Sequence, residues 1–184
     1  QEEAPNDSVI EGTILDITGH IHASSALLES ERALSTLMNN LPGMAYRCRH
    51  DADWTMLFVS KGCRELTGYD AEELLNNKKR SFSSIVHADD KGVGSIQIKQ
   101  ALRDKNNFEI EYRIIHADGK PRWVWEKGEG IFNEKEEVIF IEGFITDVTE
   151  RKNFEISQEA SRRMYKNLIE SSPEGLFVHN FAGN

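Results

Sequence analysis

The feature that most constrains this chain is its likeness to itself. Ile10-Glu11-Gly12-Thr13-Ile14-Leu15-Asp16-Ile17-Thr18 reads against Ile141-Glu142-Gly143-Phe144-Ile145-Thr146-Asp147-Val148-Thr149 at an offset of 131 residues. The offset then holds without a gap: Ser30 falls on Ser161, Arg32 on Arg163, Leu37 on Leu168 and Pro42 on Pro173. Ten identities lie between Ile10 and Cys48 at this offset, where background usage gives about two. A repeat of this kind makes each unit one module and the segments between them connectors. The expected organisation is therefore residues 1–18 as the last strand of a preceding unit, 19–39 as a helical linker and 40–149 as a complete unit. Residues 150–172 follow as a second linker, and 173–184 as the opening of a further unit.

Within the complete unit the pattern is mixed. Met44 to Arg49 and Thr55 to Val59 are short strand-like runs around a polar turn. Ser60 is placed to cap a helix ending at Gly68, and Asp70 with Glu73 has capping-box spacing for a helix over Ala71 to Asn76. Asp89 is placed to cap a longer helix reaching about Arg103. The period then changes to two: Phe108, Ile110, Tyr112 and Ile114 alternate with charged residues up to the turn pair Asp118-Gly119. Pro121 to Phe132 and Glu137 to Val148 supply two more strands. The order ββ, three helices, βββ predicts an α+β fold, a five-stranded antiparallel sheet with short helices on one face and helical connectors at both ends.

Charge and cysteine usage narrow the function classes. With 22 Lys and Arg against 31 Asp and Glu, the net charge of −9 opposes nucleic acid and anionic lipid, and no basic patch is segregated. No apolar run reaches the about 20 residues of a membrane span, so no direct membrane contact is expected of this segment and a cytoplasmic location is. Cys48 and Cys63 have no paired spacing and read as thiols in a reducing compartment. Glu126-Lys127-Gly128-Glu129-Gly130 lies within a strand and lacks the following helix of a phosphate-binding loop. His20 and His22 read as solvated residues at a helix start. Neither a catalytic constellation nor a metal cluster emerges, and the segment is expected to be non-catalytic.

Several motifs in order resemble the PAS family of sensory domains over Asn40 to Glu150. They are Phe58-Val59-Ser60, Leu66-Thr67-Gly68-Tyr69, Glu72-Glu73-Leu74 and Ile85-Val86-His87-Ala88-Asp89-Asp90, with Ala88 where the family usually has Pro. Phe108 to Tyr112, His116-Ala117-Asp118-Gly119, Arg122-Trp123-Val124 and Asp147-Val148-Thr149-Glu150-Arg151-Lys152 resemble the C-terminal PAC motif of the same family. The resemblance implies sensing of a small ligand or relay through helical linkers, dimerisation, and control of an output domain such as a histidine kinase or a diguanylate cyclase. The alternative it leaves is an unliganded spacer and dimerisation module. The implied pocket lies between the sheet and its helices, and Tyr46, Trp54, Ile96, Gln100, Tyr112, Trp125 and Phe144 are the expected ligand-facing residues. Signal transmission is expected through Asp147 and Thr149.

Haem is disfavoured, because Asp90 to Lys105 contains no histidine for an axial ligand. Covalent flavin is disfavoured too, because Asn76 to Arg80 carries no cysteine. Non-covalent flavin stays open, since Trp54, Trp123 and Trp125 offer stacking faces, and the ligand is unassigned. In the first linker Ala23, Leu27, Ser30, Leu34, Leu37 and Leu41 follow alternating spacings of four and three. Phe154, Tyr165 and Leu168 continue that phase in the second. Such a seam predicts a homodimer through the linkers, and the resemblance implies neighbouring PAS and output domains of the same chain as further partners.

Overall fold

A computed structural model describes residues 18–171. The expected conformations of 1–17 and 172–184, including the strand paired by the repeat with residues 141–149, lie outside the described residues. The chain divides into two units at Asn40. The described part of the first is a single helix, α1 (Thr18–Asn40). It holds the apolar series of the first linker as far as Leu37, and Leu27, Leu34 and Leu37 are all exposed on it.

The second unit has the expected α+β architecture. Strands β1 (Met44–Cys48) and β2 (Met56–Val59) are followed by α2 (Gly62–Thr67), α3 (Ala71–Leu74), α4 (Phe82–Ile85), a 3-10 turn at Ala88–Asp90 and α5 (Lys91–Arg103). Then come β3 (Phe108–Ile115), β4 (Pro121–Phe132), β5 (Val138–Asp147) and the long helix α6 (Thr149–Ser171). The five strands form one antiparallel sheet in the order β2-β1-β5-β4-β3. The last strand in sequence thus inserts beside the first. This lets β1, only five residues long, pair on both edges.

The alternation of β3 appears as expected: Phe108, Ile110, Tyr112 and Ile114 are buried while Glu109 and Glu111 point away. They join Met44, Met56, Val124, Ile141 and Ile145 from the other strands and Leu66, Leu74, Phe82, Ile85, Ile98 and Leu102 from the helices in one core. Burying side chains of this size stabilises by about 1.5–3 kcal/mol each relative to exposure.

The expected helix caps are corrected by the tertiary contacts. The Ser60 hydroxyl accepts the Ala45 N–H of β1, 3.0 Å away, instead of capping α2. Asp70 pairs with Arg64, and Glu73 pairs with Arg80 at 3.1 Å, so the capping box does not form and α3 is a single turn. Asp89 caps nothing: its own N–H donates to His87 Nδ1, and Asp90 clamps Arg113 on β3. Ser60 and Asp90 bond partners 15 and 23 residues away, while Asp70 and Glu73 form ion pairs with Arg64 and Arg80; a buried or charge-assisted bond outweighs a solvated cap. Helix α4 was not anticipated; Ser81 caps it by accepting the Ser84 N–H at 3.2 Å. The termination of α2 is as read, with Gly68 at φ +78 donating to the Arg64 carbonyl at 2.8 Å.

Candidate functional site

Two glycines on one face of the sheet decide where there is room. Gly128 and Gly143 face each other across β4 and β5, and Gly143 also faces Tyr46 on β1. A methyl group on Gly143 would lie 2.8 Å from the Tyr46 hydroxyl, and one on Gly128 would lie 2.5 Å from the Phe108 ring. The two aromatic side chains therefore lie across bare backbone. Tyr46 reaches over β5 to Glu126 on β4, two strands away.

Glu126 is the centre of this arrangement. It is 6% exposed, on the inner face of β4 between Val124 and Gly128. The Tyr46 hydroxyl donates to its Oε1, and the Tyr112 hydroxyl of β3 donates to Oε2 at 2.7 Å. Burial raises the Glu126 pKa above the ordinary carboxylate value, against the lowering effect of the two phenol bonds. Burial, and then the carboxylate itself, push both phenols well above theirs. Cys48, buried nearby, is raised by burial as well and stays a neutral thiol.

These groups form one wall of a cavity of about 120 Å³ between the sheet and the helices. Ile110, Phe108 and Ile141 extend that wall; Phe82, Gly94 and Ile98 face it from α4 and α5. Ala52 and Lys91 also line the cavity and are exposed, which places its opening between the β1–β2 connection and the start of α5. Trp54 stands at this edge with φ +51, a left-handed conformation that bulky residues rarely adopt. Asp51 braces the turn, its carboxylate accepting the Thr55 N–H at 3.0 Å.

Of the seven residues expected to face a ligand, Tyr46, Trp54 and Tyr112 line this cavity together. The other four point elsewhere. Ile96 is 70% exposed, and Gln100 is exposed and bonded to Asp104; the inward phase of α5 is Gly94, Ile98 and Leu102. Trp125 and Phe144 lie on the outer face, where they line a shallow groove with Lys127 and Glu142. Their parity is odd relative to Val124 and Glu126 on β4, and to the buried Ile141 and Ile145 on β5. Glu126 itself was missed. Its one signal was position, two residues after Val124 on a strand, and the two neighbouring tryptophans argued for the opposite face.

The end of the sheet is tied to α6. Asp147 Oδ1 accepts the Thr149 N–H at 2.8 Å, and Asp147 approaches Arg122 at 3.6 Å. Thr149 Oγ1 accepts the Trp123 N–H at 3.0 Å, so both expected transmission residues sit at the junction of β5, β4 and α6. Glu111 on β3 pairs with Arg151 and Lys152 in the first turn of α6, which hold its pKa below the ordinary value. Beyond that turn Phe154, Tyr165 and Leu168 are exposed. Among the described residues no group of His, Cys, Asp and Glu is placed to hold a metal ion, and no helix is long and apolar enough to cross a membrane.

Comparison with known proteins gives the same architecture. Residues 56–145 match the family model described as PAS fold. A methyl sulfide methyltransferase-associated sensor from Methanosarcina acetivorans is 28% identical over 159 residues, which are 84% of this chain and 16% of that protein. The chain thus spans a small part of that relative's length. The crystal structure of a sensory box histidine kinase/response regulator from Burkholderia thailandensis superposes with a TM-score of 0.57 at 25% identity, covering 68% of this chain and 90% of that one. The N-terminal domain of a diguanylate cyclase with PAS/PAC sensor from Marinobacter aquaeolei superposes with a TM-score of 0.51 at 17% identity, covering 60% and 98%. The last is a likeness of fold alone.

Proposed function

Residues 56–145 of this chain belong to the PAS fold family, and from that premise we propose that the unit is the regulatory sensor of a signalling protein whose output is of the histidine kinase or diguanylate cyclase type. A small molecule enters the cavity behind the sheet, and its presence alters how β4 and β5 hold the start of α6. The observation that carries this reading is Glu126. A buried carboxylate held by two tyrosines from different strands is costly to keep in a merely structural core, and here it faces open space. Its strand also contacts the helix: Trp123, three residues before Glu126, is bonded to Thr149.

The hypothesised relay is short. Tyr46 lies over Gly143 of β5, so a ligand that displaces its hydroxyl also presses on that strand. Four residues further on, Asp147 holds the Thr149 N–H. A ligand moves such an equilibrium only by its difference in affinity between the two states. Native mass spectrometry of the purified chain tests the reading. A bound small mass is expected, and Tyr112→Ala, which opens the polar wall, is expected to release it. A chain with no bound mass, in which Tyr112→Ala changes stability alone, supports an unliganded spacer instead.

In the same reading the module is a cytoplasmic homodimer, lying between further PAS units and an output domain of one chain. The exposed Leu27, Leu34 and Leu37 on α1, and Phe154, Tyr165 and Leu168 on α6, support dimer contacts through the linkers. Single cysteines at Leu34→Cys and Leu37→Cys are expected to cross-link between copies. An exclusively monomeric pattern at physiological concentration would count against the dimer.

A further inference from the structure

The polar wall of the cavity has an unusual balance of donors and acceptors. Each phenol has one O–H, and both are spent on Glu126. Each carboxylate oxygen accepts one bond and keeps room for another, and each phenol oxygen keeps its lone pairs. Deep in the cavity, then, Glu126, Tyr46 and Tyr112 offer only acceptors to an incoming molecule. Among the described residues Glu126 has no ion pair, and Lys91, the cation that lines the cavity, is exposed at its opening. With both phenols donating to it, the carboxylate is held in its charged form without the counter-charge that burial ordinarily demands.

The rest of the lining favours a cation as well. The rings of Tyr46, Tyr112, Phe82 and Phe108 border the same space, and aromatic faces attract positive charge when water is excluded. Size sets a limit. A dry cavity of about 150 Å³ takes one benzene, so about 120 Å³ admits a molecule of roughly that bulk and excludes nucleotides or macrocycles.

We propose that the cavity takes a small organic ammonium ion, with its N–H donors on Glu126 and the phenol oxygens and its short apolar body against Phe108, Ile110 and Ile98. This rests on the reading that the cavity is a sensing site, and adds the chemical class of what it senses. A carboxylate ligand that reached Glu126 would meet its charge with no cation beside it, since Lys91 stands at the opening. A neutral alcohol could donate one bond but would leave the charge unpaired. The ammonium group satisfies both the open acceptor positions and the missing counter-charge.

Calorimetric titration of the whole chain at neutral pH with butylammonium, butanol and butyrate tests the assignment at constant ionic strength. Butylammonium is expected to bind at least about tenfold more tightly than butanol, with butyrate the weakest. Glu126→Gln is expected to erase the difference between ammonium and alcohol. Tyr112→Phe guards against misfolding of that variant: it keeps the carboxylate and frees one of its oxygens, so the preference for ammonium is expected to persist or grow, with circular dichroism reporting the fold. Equal binding of butanol and butylammonium, or loss of the preference in Tyr112→Phe, overturns the assignment and leaves sensing intact. If none of the three binds while benzene raises the melting temperature, the charge assignment again falls alone. If benzene also has no effect and native mass spectrometry finds no bound mass, the sensing reading falls with it.

Discussion

Gly143→Ala is expected to lower the unfolding free energy by about 3 kcal/mol, the upper part of the usual range for forcing extra atoms into a packed interior. The new methyl would lie 2.6 Å from the Lys127 carbonyl oxygen and 2.8 Å from the Tyr46 hydroxyl. Tyr46 can swing aside only by giving up its bond to Glu126, and losing one partner of a buried charged group costs about 1–3 kcal/mol. The carbonyl cannot swing at all without opening the β4–β5 ladder. Thermal unfolding should show a melting temperature lower by roughly 10 °C, on a scaling of about 4 °C per kcal/mol, where the ranges for smaller and larger domains meet. Gly92→Ala is the control. It makes the same chemical change at a helical position with nothing within 4 Å, and replacing a helical glycine there should stabilise by up to about 1 kcal/mol. Equal effects of the two substitutions would show that the crowding around Gly143 is not what holds Tyr46 in place.

Ile145→Ala should be as severe for a different reason. Ile145 is 0% exposed on β5, opposite Met44 on β1 and Glu126 on β4. Its truncation removes apolar contact and leaves a void that the strands on either side hold open, a change that costs about 2–5 kcal/mol. Ile139, on the same strand but 42% exposed, should lose no more than about 0.5 kcal/mol on the same substitution. Urea unfolding of the two variants reads the contrast directly. Similar midpoints for both would mean that Ile145 is not packed in the core.

Parity is where the sequence was least able to speak. On β3 one face is charged and the other apolar, so Phe108, Ile110, Tyr112 and Ile114 declare their side without help. Strands β4 and β5 carry large apolar residues on both faces. Trp123 and Trp125 oppose Val124, and Phe140 and Phe144 oppose Ile141 and Ile145. A hydrophobic count therefore draws Trp125 and Phe144 inward, although the structure turns them out and turns Glu126 in. The error on α5 is of another kind. Gly94, Ile98 and Leu102 are spaced by four and form a legible stripe, which Ile96 and Gln100 do not extend.

From the sequence by itself came the repeat, the order of the strands and of every helix but α4, the helical connectors and the alternation of β3, because each rests on residues near one another along the chain or on a direct self-comparison. The tertiary structure alone decided that β5 lies between β1 and β4, that Ser60, Asp70 and Asp89 leave their helix ends, and that Glu126 meets two tyrosines. The bonds made by Ser60 and Glu126 join groups 14 to 80 residues apart. Local propensity does not register such partners, and it is their burial that makes the bonds strong enough to override it.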